Sequence, residues 1–216
     1  MRSISPPICA AVLALSFAPL AAQAESDQQQ VVNGATSAIE RMRSGSGIAK
    51  SGLLGRAKAA LIVPHAVRGA IGIGAQGGEA VLVENKGGKW SAPAFYTVGG
   101  VSVGPQIGGE VTTAVLLIMT DRALDRLLKP SNVTGGAQAT LTAAHYSANR
   151  IAELGGADLV IWSTSEGAFA GANLDLTGFT QDTSANRAYY GKPVDASEVF
   201  RGAVANPADS RLRRAL

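Results

Sequence analysis

Cysteine is almost missing from this chain, and the single one, Cys9, falls within the first 24 residues. Those residues read as a secretory signal. Arg2 supplies a short positive start, residues 8–20 are apolar apart from breaks at Ser16 and Pro19, and Ala22-Gln23-Ala24 is the small-x-small pattern of a cleavage site. The run is too short for a mature bilayer span, which takes ~20 apolar residues. Pro6-Pro7-Ile8 ahead of Cys9 is not a lipoprotein cleavage box, so no lipidated cysteine is expected. Cleavage after Ala24 leaves no cysteine, which excludes a disulfide framework and thiolate metal sites. Export without disulfides fits a bacterial periplasm.

Charge, histidine and aromatics are also scarce. Removing 24 residues from 216 leaves 192, the size of one domain with a real core. Loss of Arg2 lowers Lys+Arg from 19 to 18 against 16 acidic residues, so the net charge is +2. That is too mild a balance to argue for nucleic acid. His65 and His145 stand 80 positions apart with no acid cluster beside them, so neither a metal site nor an acid–base pair is expected. No serine is expected on the strand-to-helix elbow that serine hydrolase chemistry needs as its anchor. With aromatics at 5% and strand-like runs short, an outer-membrane barrel fits poorly. A non-enzymatic protein without cofactor or metal is the expectation.

Glycine, by contrast, is plentiful at 26 residues. It punctuates a series of short strand-like segments: residues 60–63, 69–75, 79–84, 90–98, 101–107, 111–119, 137–144, 159–163 and 168–176. Lys86-Gly87-Gly88-Lys89 reads as a hairpin turn, and Ser165-Glu166-Gly167 as another. Helices are predicted over residues 26–44, where apolar positions from Val31 to Met42 share one face, and over 51–59. A helix capped by Thr120 or Asp121 should run to Leu128 ahead of Pro130. Others begin at Asp195 or Ser197 and run towards Leu216. The predicted class is α+β: a mostly antiparallel, strongly curved sheet with N-terminal and C-terminal helices and one mid-chain helix. Connections are too short for a parallel doubly wound sheet. Gly72-Ile73-Gly74-Ala75-Gln76-Gly77 matches GxGxxG, but a strand follows it, and a dinucleotide loop needs a helix there.

The candidate site is basic. Arg41, Arg43, Lys50, Arg56, Lys58 and Arg68 interleave with apolar residues that include Leu53 and Leu54. Such a pattern suits an interfacial segment, where each cation near an anionic surface contributes ~1 kcal/mol. From the residues alone it better suits an ordinary helix whose apolar side packs on the sheet, since amphipathic helices are common in globular domains. Arg211, Arg213 and Arg214 form a second cluster, which helix-end dipole complementarity explains about as well.

An ordered set of marks spans residues 48–216. It runs from Ala57-Lys58-Ala59 and Leu61-Ile62-Val63-Pro64 through Gly77-Gly78-Glu79-Ala80-Val81-Leu82 and Trp90-Ser91-Ala92-Pro93. It continues with Gly104-Pro105-Gln106-Ile107-Gly108, Met119-Thr120, Glu166-Gly167-Ala168-Phe169-Ala170-Gly171 and Ala188-Tyr189-Tyr190-Gly191. In this order the chain resembles the SYLF lipid-binding family. The resemblance implies a lipid-binding domain over 48–216, preceded by a helix and Gly/Ser linker over 25–47. It implies peripheral binding of anionic phospholipid through the basic, amphipathic N-terminal part. Carried over by position, the contacts are Lys50, Leu53, Leu54, Arg56 and Lys58; Arg68, Arg41 and Arg43 join them on charge. In a bacterial envelope the headgroup would be phosphatidylglycerol, cardiolipin or another anionic lipid. The alternative partner is an envelope protein bound through the sheet. Some eukaryotic members touch actin and carry an SH3 domain, and no SH3 segment is present here.

Overall fold

The computed structural model describes residues 26–45, 47–129, 142–146, 156–164 and 178–216. Helix α1 (Asp27–Gly45) leads into two single-turn helices, α2 (Ile48–Ser51) and α3 (Leu53–Arg56). Strands β1 (Ala59–Lys86), β2 (Lys89–Trp90) and β3 (Ala94–Ile118) follow, then α4 (Asp121–Leu128), β4 (Ala143–His145), β5 (Leu159–Ser163) and β6 (Phe179–Gln181). Helices α5 (Thr183–Tyr190), α6 (Ala196–Phe200) and α7 (Ser210–Ala215) complete the described chain. The α+β class and the mostly antiparallel sheet match the expectation.

Strand β3 is the spine of the sheet. It pairs with β1 along one edge, and on the other with β5 at residues 114–118 and β6 at residues 96–98. Among the described residues, only β4 and β5 pair in parallel. Of the four glycine-separated strands predicted between 69 and 107, three lie wholly within the long strands β1 and β3, and the one over 90–98 starts at Trp90 of β2 and continues as the first residues of β3. Glycine weakens a strand without ending it when both neighbours are hydrogen-bonded.

Two register shifts explain how 28 residues of β1 remain one element. Between Val63 and Ala66, β1 advances three residues while β3 advances two, from Ala114 to Thr112. The extra residue falls at Pro64-His65, where proline has no N–H to give the ladder. One inserted residue exchanges the two faces of a strand. Accordingly Ala59, Leu61 and Val63 face one core layer, and beyond the bulge Ala80 and Leu82 do, while Ala60, Ile62, Val81 and Val83 face the other. Between Ile71 and Ile73 the shift adds two residues to β3, so β3 keeps its faces. Ala94, Tyr96, Ala114, Leu116 and Ile118 all point to the same layer.

The long ribbon also turns back on itself. Asn85 N donates to Lys58 O at 2.8 Å, so the two ends of β1 lie side by side. Gly78 packs on the turn out of the first half: a Cβ there would sit 2.5 Å from His65 O and 3.3 Å from Ala66 Cα. This fold-back supplies the strong curvature.

Helices cover both faces. On one, α1 buries Val31, Val32, Ala35, Ala38, Ile39 and Met42 beside Leu53, Leu54, Tyr189 of α5 and Leu212 of α7. On the other, Ala123, Leu124 and Leu127 of α4 pack with Ala196, Val199 and Phe200 of α6. The predicted helix over 51–59 is instead two short turns separated by Gly52, whose φ of 70° ends one helix and starts the next. Strand pairing begins at Ala59. The expected strand over 168–176, its turn at 165–167, and most of that over 137–144 lie outside the described residues.

Candidate functional site

The basic residues singled out from sequence divide into three places. Arg41 and Arg43 stand exposed at the end of α1. Arg43 Nη1 donates to Ala215 O at 2.5 Å, so it caps the C-terminal end of α7, where a cation complements the helix dipole. The same contact brings the α7 arginines, Arg211, Arg213 and Arg214, beside α1. The two basic clusters of the sequence thus adjoin through one hydrogen bond.

Lys50, Arg56 and Lys58 are exposed along α2, α3 and the entry to β1. Lys58 Nζ pairs with Asp121 at 3.1 Å, while no carboxylate pairs with Lys50 or Arg56 among the described residues. Leu53 and Leu54, at 2% and 7% exposure, belong to the core. The cations around α2 and α3 are therefore offered to solvent, and the leucines between them are not. Arg68 lies ten residues further along β1 than Lys58, opposite Glu110 in the ladder. Its side chain lies outside the described residues, as does that of His145. His65 is exposed beside Gly34 of α1. The GxGxxG segment lies within β1, paired to β3, as the strand reading required.

The entry to β1 is stitched to the β1–β2 hairpin, and sequence gave no sign of this. Asn85 Nδ2 donates to Ala57 O at 2.9 Å and Gly55 O at 3.3 Å, while its Oδ1 accepts from Gly88 N at 2.7 Å. One side chain thus holds the α3–β1 junction and the turn together. Gly87 and Gly88 have φ of 63° and 89°, the left-handed pair a two-residue hairpin turn requires. From the turn, Lys86 Nζ donates to Phe200 O at 2.9 Å and pairs with Glu84 at 3.1 Å.

Two buried carboxylates stand apart from this surface. Asp158, at 3% side-chain exposure, accepts from Thr120 Oγ1 at 2.8 Å and from Thr142 N at 2.9 Å, and pairs with Arg122. Burial raises its pKa, but the Thr142 backbone, Thr120, Arg122 and Thr142 hydroxyl hydrogen bonds outweigh that and hold it at about 2. It joins the α4 cap to β4 and β5. Asp209 is fully buried and bonds Arg213 at 2.7 Å through Oδ1. Its Oδ2 has no hydrogen-bond partner among the described residues, nor do the buried Tyr189 hydroxyl and Asn186 Nδ2. Burial pushes its carboxyl above the usual range, and Arg213 only partly reverses this. Burial, followed by the Asp209 charge, raises Tyr189. Among the described residues no three His, Cys, Asp or Glu side chains gather as metal ligands, and no helix is long and apolar enough to cross a membrane.

A family model, Ysc84, described as Las17-binding protein actin regulator, matches residues 99–216. An SH3 domain-containing YSC84-like protein 1 of Xenopus laevis is 30% identical over 168 residues, covering 70% of this chain and 50% of that protein. An SH3 domain-containing protein of Schizosaccharomyces pombe is 29% identical, covering 72% and 37%. Protein YSC84 of Saccharomyces cerevisiae is 28% identical, covering 74% and 36%. The chain thus spans half or less of each of these eukaryotic relatives. No solved structure matches.

Proposed function

The chain belongs to the Ysc84, or SYLF, family, and from that premise we propose that it is a non-enzymatic protein of the bacterial cell envelope that docks peripherally on anionic phospholipid. The observation that carries this reading is the separation of charge from apolar surface around α2 and α3. Lys50, Arg56 and Lys58 are exposed while Leu53 and Leu54 are spent on the core. Such a surface supports headgroup contact by charge, each cation contributing ~1 kcal/mol near an anionic membrane. The signal-like first 24 residues support a periplasmic location after cleavage.

The test is co-sedimentation of residues 25–216 with vesicles of graded anionic lipid content, beside a Lys50→Ala/Arg56→Ala/Lys58→Ala variant. Binding should rise with anionic content and drop in the variant. Absence of binding at low salt by the folded protein would reject the reading. The family description as a Las17-binding protein favours one alternative, a structural or protein-interaction domain of the periplasm without direct lipid contact. Vesicle-independent capture of an envelope protein, with no lipid binding, would support that alternative.

A further inference from the structure

The cations that sequence assigned to the N-terminal segments are only part of the surface they occupy. Asn85 ties the β1–β2 turn to the α3–β1 junction, through Ala57 O, Gly55 O and Lys58 O. Lys86 and Lys89, which flank that turn as ladder partners, therefore lie at the same end of the sheet as Arg56 and Lys58. Lys86 in turn reaches Phe200 O at the end of α6, and Arg201 is the next residue. Three chain segments far apart in sequence thus meet around one end of the sheet: α3 on one face, the hairpin turn at the tip and the end of α6 on the other face.

All five cations, Arg56, Lys58, Lys86, Lys89 and Arg201, are exposed. The carboxylates paired into this end are Asp121, with Lys58, and Glu84, with Lys86. Glu198 is held in the capping box of α6 with Asp195. Among the described residues no carboxylate pairs with Arg56, Lys89 or Arg201. Charge therefore accumulates on a projecting tip. A turn that carries cations on its rim cannot enclose one anion, but it can lie against a plane of them.

We infer that the β1–β2 turn and the end of α6 form, with the α3–β1 junction, a single cationic docking face for an anionic lipid bilayer, in which Lys86, Lys89 and Arg201 contact headgroup phosphates. This rests on the lipid reading above and extends its contact residues from one segment to three. The fixed turn holds Lys86 and Lys89 at set positions, so this part of the face is preorganised.

The experiment measures partition of the protein onto vesicles made of equal parts phosphatidylcholine and phosphatidylglycerol. Lys86→Ala/Lys89→Ala/Arg201→Ala should bind on the order of 100-fold more weakly, three cations at about fivefold each. Because Lys86 also bonds Phe200 O, the Lys89→Ala/Arg201→Ala variant is measured too. It removes two side chains that have no partner among the described residues and should lose about 25-fold. Lysine-to-arginine and arginine-to-lysine exchanges at the three positions should preserve binding. Unchanged binding in the double variant, with binding lost in Lys50→Ala/Arg56→Ala/Lys58→Ala, overturns this inference and leaves the lipid reading standing. Failure of the unaltered protein to bind overturns both. Release from vesicles by millimolar inorganic phosphate at constant ionic strength would point to a single-anion site and overturn the docking face.

Discussion

Asp158 and Asp209 are both buried aspartates paired with arginine, yet their surroundings act in opposite directions. Asp158 is surrounded by donors, and its pKa falls from 3.8 to about 2. A depressed carboxylate stabilises the folded state above the unfolded pKa, and that contribution disappears as pH falls from 3.8 towards 2. The shift corresponds to about 2 kcal/mol at neutral pH. Asp158→Asn should therefore lower the unfolding free energy by about 2 kcal/mol in urea titrations at neutral pH. Asp209 has an unpartnered oxygen and a raised pKa, so its ionised form weakens the fold at neutral pH. The sign is opposite: stability from this group is regained as pH falls through its folded pKa. Asp209→Asn should leave neutral-pH stability unchanged or higher, since Arg213 is 43% exposed and can be solvated. A loss in Asp209→Asn equal to that in Asp158→Asn would contradict this account. The sequence offered neither role, because isolated aspartates look alike until their donors arrive from elements such as Thr120 and Thr142.

Elements were legible where one physical signal dominated. The 3.6-residue stripe from Val31 to Met42 places α1 within one residue of its observed bounds. Thr120 caps α4 and Asp195 caps α6 as their side-chain chemistry suggests. Helix α5 was missed because its buried face carries Asn186, which breaks the apolar stripe. That side chain is not a packing error: its Oδ1 accepts from Phe95 N at 2.8 Å, taking the place of a strand partner. Strand lengths were misread because glycine suggests an end where the ladder in fact continues. Gly78 packs directly on the first half of the folded-back ribbon, and no substitution with a side chain fits beside His65 O. Gly78→Ala should cost about 1–3 kcal/mol, as overpacking does, and calorimetry should show a lower Tm. An unchanged Tm would mean that the two halves of β1 are not packed as described.

At the scale of the molecule, the sheet has one helical layer on each face and a cationic end where three segments meet. The composition pointed to a single α+β domain, and the glycine-rich marks pointed to the family. The extent of the charged surface was not readable, because it depends on Asn85 and Lys86 reaching across the end of the sheet. Sequence also left open whether the leucines beside the cations faced a membrane or the core, since an amphipathic pattern fits both. Their burial makes charge the available means of docking, and charge is screened by salt. The screening length falls from about 10 Å at ~0.1 M to about 3 Å at ~1 M ionic strength. The most direct measurement is therefore the partition of the protein onto phosphatidylglycerol-containing vesicles across that salt range, with neutral phosphatidylcholine vesicles alongside. The account predicts binding that needs the anionic lipid and weakens at least tenfold, about 1.4 kcal/mol, as salt rises. Binding equal on neutral vesicles, or unaffected by salt, would contradict it.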